Sequence, residues 1–253
     1  LASVVTPPYD IIDEKAQARY YAESPVNIIR LELGLMYPDD DTRNNRYTRS
    51  KKYLDRWLED EILVPEAKPS LYVYQQEFLG TNGKVTRNGL ICGLGLEDYS
   101  QGNILPHEET LSKPKTDRLK LMESTQCNFS SIFGLYNDPE KIIDNTLLKA
   151  IEGRTPDVDI TDEAGESHRM WVVSDEKVLE AVSLAFKKQQ IFIADGHHRY
   201  ETALGYSKQM KEAGHEGYDY VLATLVNLYD EGLVVLPTHR VVKNIKDLDL
   251  PLK

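Results

Sequence analysis

The chain predicts a mixed α/β fold, and three observations carry that prediction. Beyond Pro139, short apolar or β-branched runs alternate with stretches whose apolar residues return every three or four positions. Before that, Leu71 to Phe78 and Lys84 to Leu94 read as two strands joined by a tight turn at Asn82-Gly83. Near the start, Tyr47, Leu54, Trp57, Leu58 and Ile62 share one helical face, so roughly Thr42 to Glu61 reads as an amphipathic helix.

The other elements follow in chain order. Thr6-Pro7-Pro8-Tyr9-Asp10 reads as a rigid extended segment, because each proline fixes its own φ and drives its predecessor out of the helical region. A short helix is expected over Asp13 to Ala22, ending before Ser24-Pro25. A strand follows over Asn27 to Leu33, its alternating Arg30 and Glu32 facing water. After the strand pair comes a polar loop, then a helix over Thr116 to Ser124 and a strand over Ile132 to Tyr136. Ile143, Leu147 and Ile151 mark a helix, and His168 to Val173 a strand. Val178, Val182, Ala185 and Phe186 mark the next helix, with Ser174 as its N-cap. A strand at Ile191 to Ala194, a helix to about Ala213 and a strand at Tyr220 to Val226 come next. A hairpin around Asp230-Glu231-Gly232 then leads into Val234-Val235-Leu236. With no repeat and no long linker, residues 1–253 read as one unit, divisible if anywhere into 1–136 and 137–253.

The bulk properties exclude several classes. At 253 residues the chain can bury a substantial core, and 41% hydrophobic with 28% charged residues is ordinary for a globular protein. A net charge of −11 and a pI near 5.1 argue against a duplex nucleic-acid binder, which normally shows a basic face. No run approaches the ~18 apolar residues of a membrane span, and no signal segment opens the chain. Cys92 and Cys127 lack metal-ligand spacing. A reduced, cytoplasmic setting is therefore expected, in which Asn128-Phe129-Ser130 matches a glycosylation sequon by chance.

Chemistry concentrates at the end of the Ile191–Ala194 run. There Asp195-Gly196-His197-His198-Arg199 stands where a strand hands over to a helix, and free N–H groups and the positive helix end converge. Gly196 allows a ligand close to the backbone. His197, His198 and Arg199 add donors for nucleotide phosphates, and Asp195 has the hardness to hold Mg²⁺ or orient a hydroxyl. Any one of these residues alone reads as an ordinary helix cap; four in one turn favour a pocket. Zinc is a competing reading of the paired histidines, although adjacent side chains diverge at a helix start.

Pro106-His107-Glu108-Glu109-Thr110 is a second constellation. Glu108 beside His107 has the makings of a general base, and Lys113, Lys115, Asp117 and Arg118 could complete an anion-binding rim. On composition alone the segment equally reads as an exposed acidic loop. Thr238-His239-Arg240 is a third, suited to a substrate carboxylate or phosphate and equally to a surface strand end. The chain contains no GxxxxGK[ST], GxGxxG, HExxH or GxSxG motif.

Four segments, Thr6–Asp10, Pro106–Thr110, Ile193–Ala203 and Leu236–Arg240, together resemble a large bacterial and archaeal family long catalogued as domain of unknown function 1015. Its members are longer at the C-terminus, so the resemblance implies that this chain is their N-terminal portion. The Asp195–Arg199 string is also similar to the phosphate-binding turn of the ParB and sulfiredoxin superfamily, which includes kinases acting on free serine. That second resemblance implies a ParB/sulfiredoxin-like nucleotide-binding core carrying additional strands and helices. It further implies ATP or ADP with Mg²⁺, bound through Gly196, His197, His198, Arg199 and Thr202, with the metal on Asp195. Glu108, Asp195 and His197 would be catalytic. His107, Thr110, Arg118, His239 and Arg240 would bind a small hydroxyl amino acid, L-serine foremost. The sulfiredoxin cysteine is replaced by His197 or His198, which argues against sulfinic-acid repair. A nucleotide-gated ParB-like switch and a metal-dependent phosphohydrolase are the alternatives. No membrane or duplex nucleic-acid partner is expected.

Overall fold

The computed structural model describes residues 1–80, 83–110 and 112–235. Within them, eight strands form one mixed sheet: β1 (Leu71–Gly80), β2 (Gly83–Gly95), β3 (Ile104–Leu105), β4 (Ile132–Tyr136), β5 (Val158–Thr161), β6 (Ser167–Val173), β7 (Ile191–Asp195) and β8 (Tyr220–Asn227). Their order is β3-β7-β4-β8-β2-β1-β6-β5, so strands from either side of residue 136 interleave. The β3/β7 and β4/β8 pairs are parallel and the others antiparallel.

Burial alternates as the pleat requires. In β7, Ile191 and Ile193 are buried while Phe192 faces out. Helices α5 (Ile142–Ile151) and α6 (Glu176–Phe186) pack together, and Phe186 meets Tyr136 of β4 edge-on at 4.9 Å. Helix α7 (His197–Glu212) lies against β4 and β8 and sends Tyr200 fully into the main core. A smaller cluster, Leu31, Leu54 and Trp57, joins α2 (Ile29–Glu32) to α3 (Arg46–Glu59). Beyond these lie α1 (Glu14–Glu23) and α4 (Ser112–Thr125), the latter packed on both α3 and α7.

Most predicted elements are present; several differ for local reasons. The Asn27–Leu33 segment is not a strand. Buried Asn27 accepts from the Ile29 amide at 2.9 Å and donates to the Ser3 carbonyl at 2.8 Å, turning the chain into the short helix α2. Glu32 is correspondingly buried rather than facing water. Helix α3 begins at Arg46 because Asn45 and Thr48 form a capping box. The N-cap of α6 is Asp175, which accepts from Lys177 and Val178, not Ser174. The opening segment is not extended to its end: after Pro8 (φ −52°, ψ 142°), Tyr9–Ile11 closes a 3-10 turn. Asp230 organises the expected turn by accepting from Gly232 at 2.8 Å. Residues 233–235 form no strand, and Leu236 onward lies outside the described residues, as does Asn82. Strands β3 and β5 were not anticipated, being only two and four residues long. No helix among the described residues is long and apolar enough to cross a membrane. Both cysteines are free.

Fully buried Asn227 closes β8 by satisfying its neighbours. Its amide donates to the Asp138 carbonyl at 2.8 Å and to the Asp144 carboxylate, and its oxygen accepts from the amides of Asp138 and Tyr229. Asp138 in turn accepts from the Ile143 amide at 2.8 Å, so the same node secures the start of α5. Asn227→Ala strands several buried groups at once, and urea unfolding should show a loss of about 2–3 kcal/mol.

Candidate functional site

Strand β7 delivers the chain to Gly196, whose φ of 87° and ψ of 28° place it in the left-handed region. A Cβ there would also come within 3.0–3.1 Å of the Arg199 guanidinium, so two independent constraints select glycine. Gly196 is the N-cap of α7 and offers no side chain to its amides. The first intrahelical bond runs from the Tyr200 amide to the Gly196 carbonyl at 3.0 Å. The amides of His197, His198 and Arg199 therefore precede any intrahelical acceptor.

The 106–110 loop meets this helix start. The His107 amide donates to Nε2 of His197 at 3.3 Å. That nitrogen must keep its lone pair, so the neutral His197 ring carries its proton on Nδ1. Glu108 Oε1 stands 3.1 Å from Nδ1 but off the line of the N–H. Nδ1 is thus buried without an aligned partner among the described residues, in a side chain only 1% exposed. Burial is the main force holding the His197 pKa below its ordinary value; the Glu108 charge opposes it. His107 donates from its own Nδ1 to the Ile193 carbonyl at 2.7 Å, and its ring stands edge-on to His197 at 4.5 Å. One turn along α7, Glu201 accepts from Thr110 Oγ1 and from Lys115 Nζ at 3.0 Å. Burial tends to raise the Glu201 pKa, but these two partners outweigh it and hold the carboxyl low.

Arg199 faces elsewhere. Only 8% exposed, it donates to the Ser131 carbonyl and the Asp195 carboxylate, which itself stays 59% exposed. The Tyr9 ring lies 5.9 Å from Arg199 and 3.9 Å from Arg118. Arg118 is consumed by a buried clamp: it bonds the Glu32 carboxylate at 2.7 Å, the Glu32 carbonyl and Asp117. Burial pulls the Glu32 pKa up, while Arg118 and Ser130 work against that rise.

The fold thus sorts the sequence-predicted residues into two places. His107, Glu108, Gly196 and His197 converge at the head of α7, with Asp195 at the strand end and Thr110 tied in through Glu201. Arg118 and Thr202 instead line a shallow cleft with Glu32, Ser130 and Arg199. The Thr202 hydroxyl is spent on the His198 carbonyl at 2.6 Å, and His198 is half-buried. His239, Arg240 and the Lys113 side chain lie outside the described residues. Sequence reasoning missed Glu32, Ser131 and the structural part of Glu201. Only Glu201 had a signal: it follows His197 by four positions, which places both on one helical face.

His107, Glu108 and His197 each offer a ligand atom, all within 4.8 Å of one another. A metal on His197 Nδ1 would move the ring proton to Nε2, directly against the His107 amide donor. That clash disfavours metal and favours an oxygen ligand that accepts a hydrogen bond.

Two outcomes follow. Arg118→Met should cost about 3–5 kcal/mol in chemical unfolding, because Glu32 is left buried without its partner, whereas the double change with Glu32→Met should recover most of that loss. The lowered His197 pKa makes the unfolded chain bind more protons between the folded-state value and about 6.5. Stability should therefore fall as pH drops below about 6.5, and His197→Asn should flatten that part of a pH–unfolding profile.

No curated protein and no solved structure matches this chain. One family model does, that of the proteins of unknown function designated DUF1015, and it spans residues 1–251. A match over nearly the whole length shows that the chain belongs to the DUF1015 family.

Proposed function

We propose that this protein is a nucleotide-dependent kinase that transfers a phosphoryl group from ATP or ADP to a small hydroxyl metabolite, L-serine foremost. The observation that carries the reading is the uncapped head of α7, where a buried, neutral Nδ1–H of His197 lacks an aligned acceptor beside the Glu108 carboxylate. Helix-start amides and a buried donor suit anionic oxygens, and phosphates are the commonest such ligands. The likeness of the Asp195–Arg199 turn to the ParB and sulfiredoxin superfamily, with its free serine kinases, supports the choice of phosphate and of serine.

In this reading the amides of His197 and Arg199 and the His197 Nδ1–H cradle the phosphate oxygens, with His198 beside them. Glu108, 53% exposed and adjacent, accepts the proton of the attacking hydroxyl. Arg199 is a positioning residue: it fixes the Asp195 carboxylate by an i,i+4 ion pair and pins the turn to Ser131. Asp195 is an exposed hard-oxygen ligand at a strand end, which fits Mg²⁺ held by one carboxylate plus substrate phosphates. That ion would neutralise phosphate charge. The remaining catalysis is alignment and electrostatic stabilisation.

Incubation with serine and either nucleotide should yield O-phosphoserine. Glu108→Gln should lower kcat on the order of 10²–10⁴-fold while leaving nucleotide affinity nearly unchanged. Unchanged turnover in that variant would sink the assignment of the base. Nucleotide binding with no transfer to any hydroxyl compound would instead favour the gated-switch alternative. The alternative of a metal-dependent phosphohydrolase would have to use the His107–Glu108–His197 ligand set, against the His107 amide that already occupies His197 Nε2. It requires tightly held zinc or manganese that His107→Ala releases, together with phosphomonoester hydrolysis.

A further inference from the structure

At the opposite edge of the sheet, the β5–β6 hairpin carries a second cluster, independent of the kinase reading. Asp162, Glu166 and His168 each present one ligand atom, all within 4.8 Å of one another, and all three residues are half-buried. We propose that they bind a single Zn²⁺ ion.

The hairpin holds each side chain in a defined orientation. Asp162 Oδ1 accepts from the amides of Ala164 and Glu166, both at 2.9 Å, which turns Oδ2 toward His168 Nε2 at 3.1 Å. Tyr74 of β1 places its hydroxyl 2.6 Å from His168 Nδ1 and stacks its ring on the imidazole. Gln76, also on β1, donates to Glu166, and its own oxygen accepts from Arg87. The three ligands are thus each fixed by a further partner, the arrangement that orients side chains around bound metals.

Charge points the same way. No lysine or arginine among the described residues pairs with Asp162 or Glu166, although the neighbouring cations are paired: Arg169 with Asp159 and Arg19 with Glu163. Closing the hairpin needs only Asp162 Oδ1 and the backbone bonds between Asp162, Gly165 and Glu166. That closure does not call on Oδ2, yet the His168 imidazole is set against it and a Glu166 carboxylate oxygen lies within 4.8 Å of both, the grouping a cation would require. Two carboxylate oxygens and one imidazole nitrogen suit zinc, with a fourth position left for water. Binding moves the His168 proton from Nε2 to Nδ1, and Tyr74 Oη then accepts that bond where it now donates.

The test is Zn²⁺ titration of the metal-stripped full chain by calorimetry, with bound zinc counted after desalting. Wild type should retain one equivalent, as should the His107→Ala/Glu108→Gln double variant. Glu166→Gln/His168→Gln should retain none. Tyr74→Phe, which leaves all three ligands in place, should weaken binding about 10–100-fold. In unmutated protein, Zn²⁺ should shift the His168 Nε2 resonance, a reading that does not depend on any variant folding. The proposal is overturned by a wild type that binds no zinc, by zinc lost with His107 and Glu108, or by undiminished binding in Glu166→Gln/His168→Gln.

Discussion

The chemistry of the corner rests on one contact, the amide of His107 donating to Nε2 of His197. A backbone N–H cannot become an acceptor, so it fixes which imidazole nitrogen keeps its lone pair. Burial keeps the ring neutral, and the proton is left on a buried Nδ1, 3.1 Å from the half-exposed Glu108 carboxylate. Two secondary elements far apart in sequence must meet for this to happen. The parallel pairing of Ile104 with Ile191 and Leu105 with Phe192 brings them together, because it aims the 106–110 loop and the start of α7 at one place. A two-residue strand thereby controls the protonation pattern of a buried histidine.

That dependence explains what was legible in the sequence. β7 and β4 announce themselves as short apolar runs, and β4 has the predicted limits, with Ile132, Gly134 and Tyr136 facing the core. The Asp195–Arg199 turn was legible because strand, glycine and helix pattern are consecutive. β3 was not: two residues carry no periodicity, and its reason to exist is the partner strand 87 positions later. Asn27–Leu33 failed for the opposite reason. Its apolar content mimics a strand, but the Asn27 side chain competes for the local backbone and turns the segment helical. Glu32 then points inward to Arg118, a long-range pairing that no local pattern encodes.

The Glu32–Arg118 clamp carries more than its own energy. A buried pair of this kind contributes little over an apolar substitute, yet leaving either partner alone is costly. Its geometry ties α2 to α4 and presents Arg118 to the face of Tyr9, whose ring also lies near Arg199. Arg199 in turn holds Asp195 and Ser131. The N-terminal Pro-Pro-Tyr-Asp segment and the β7–α7 turn thus meet where two guanidinium groups approach the one Tyr9 ring. The mixed fate of the predicted site residues follows: Arg118 and Arg199, which look like anion binders in sequence, are committed to carboxylate and carbonyl partners, which leaves backbone amides and one imidazole as the donors on which the proposed phosphate site relies.

The two histidine clusters show how position rather than composition selects chemistry. Both set an imidazole against nearby carboxylate oxygen, and either could be read as a metal site from residue types alone. At His197 the partner on the far nitrogen is an amide, which only donates, so coordination at Nδ1 would set two donors against each other. At His168 the partner is the Tyr74 hydroxyl, which can donate or accept, so the ring proton can shift to Nδ1 and leave Nε2 to a cation without losing that bond. The first arrangement discriminates against metals and toward acceptor oxygens; the second tolerates either state. A fixed donor behind one imidazole and a reversible one behind the other is the physical difference on which the two proposed ligands rest.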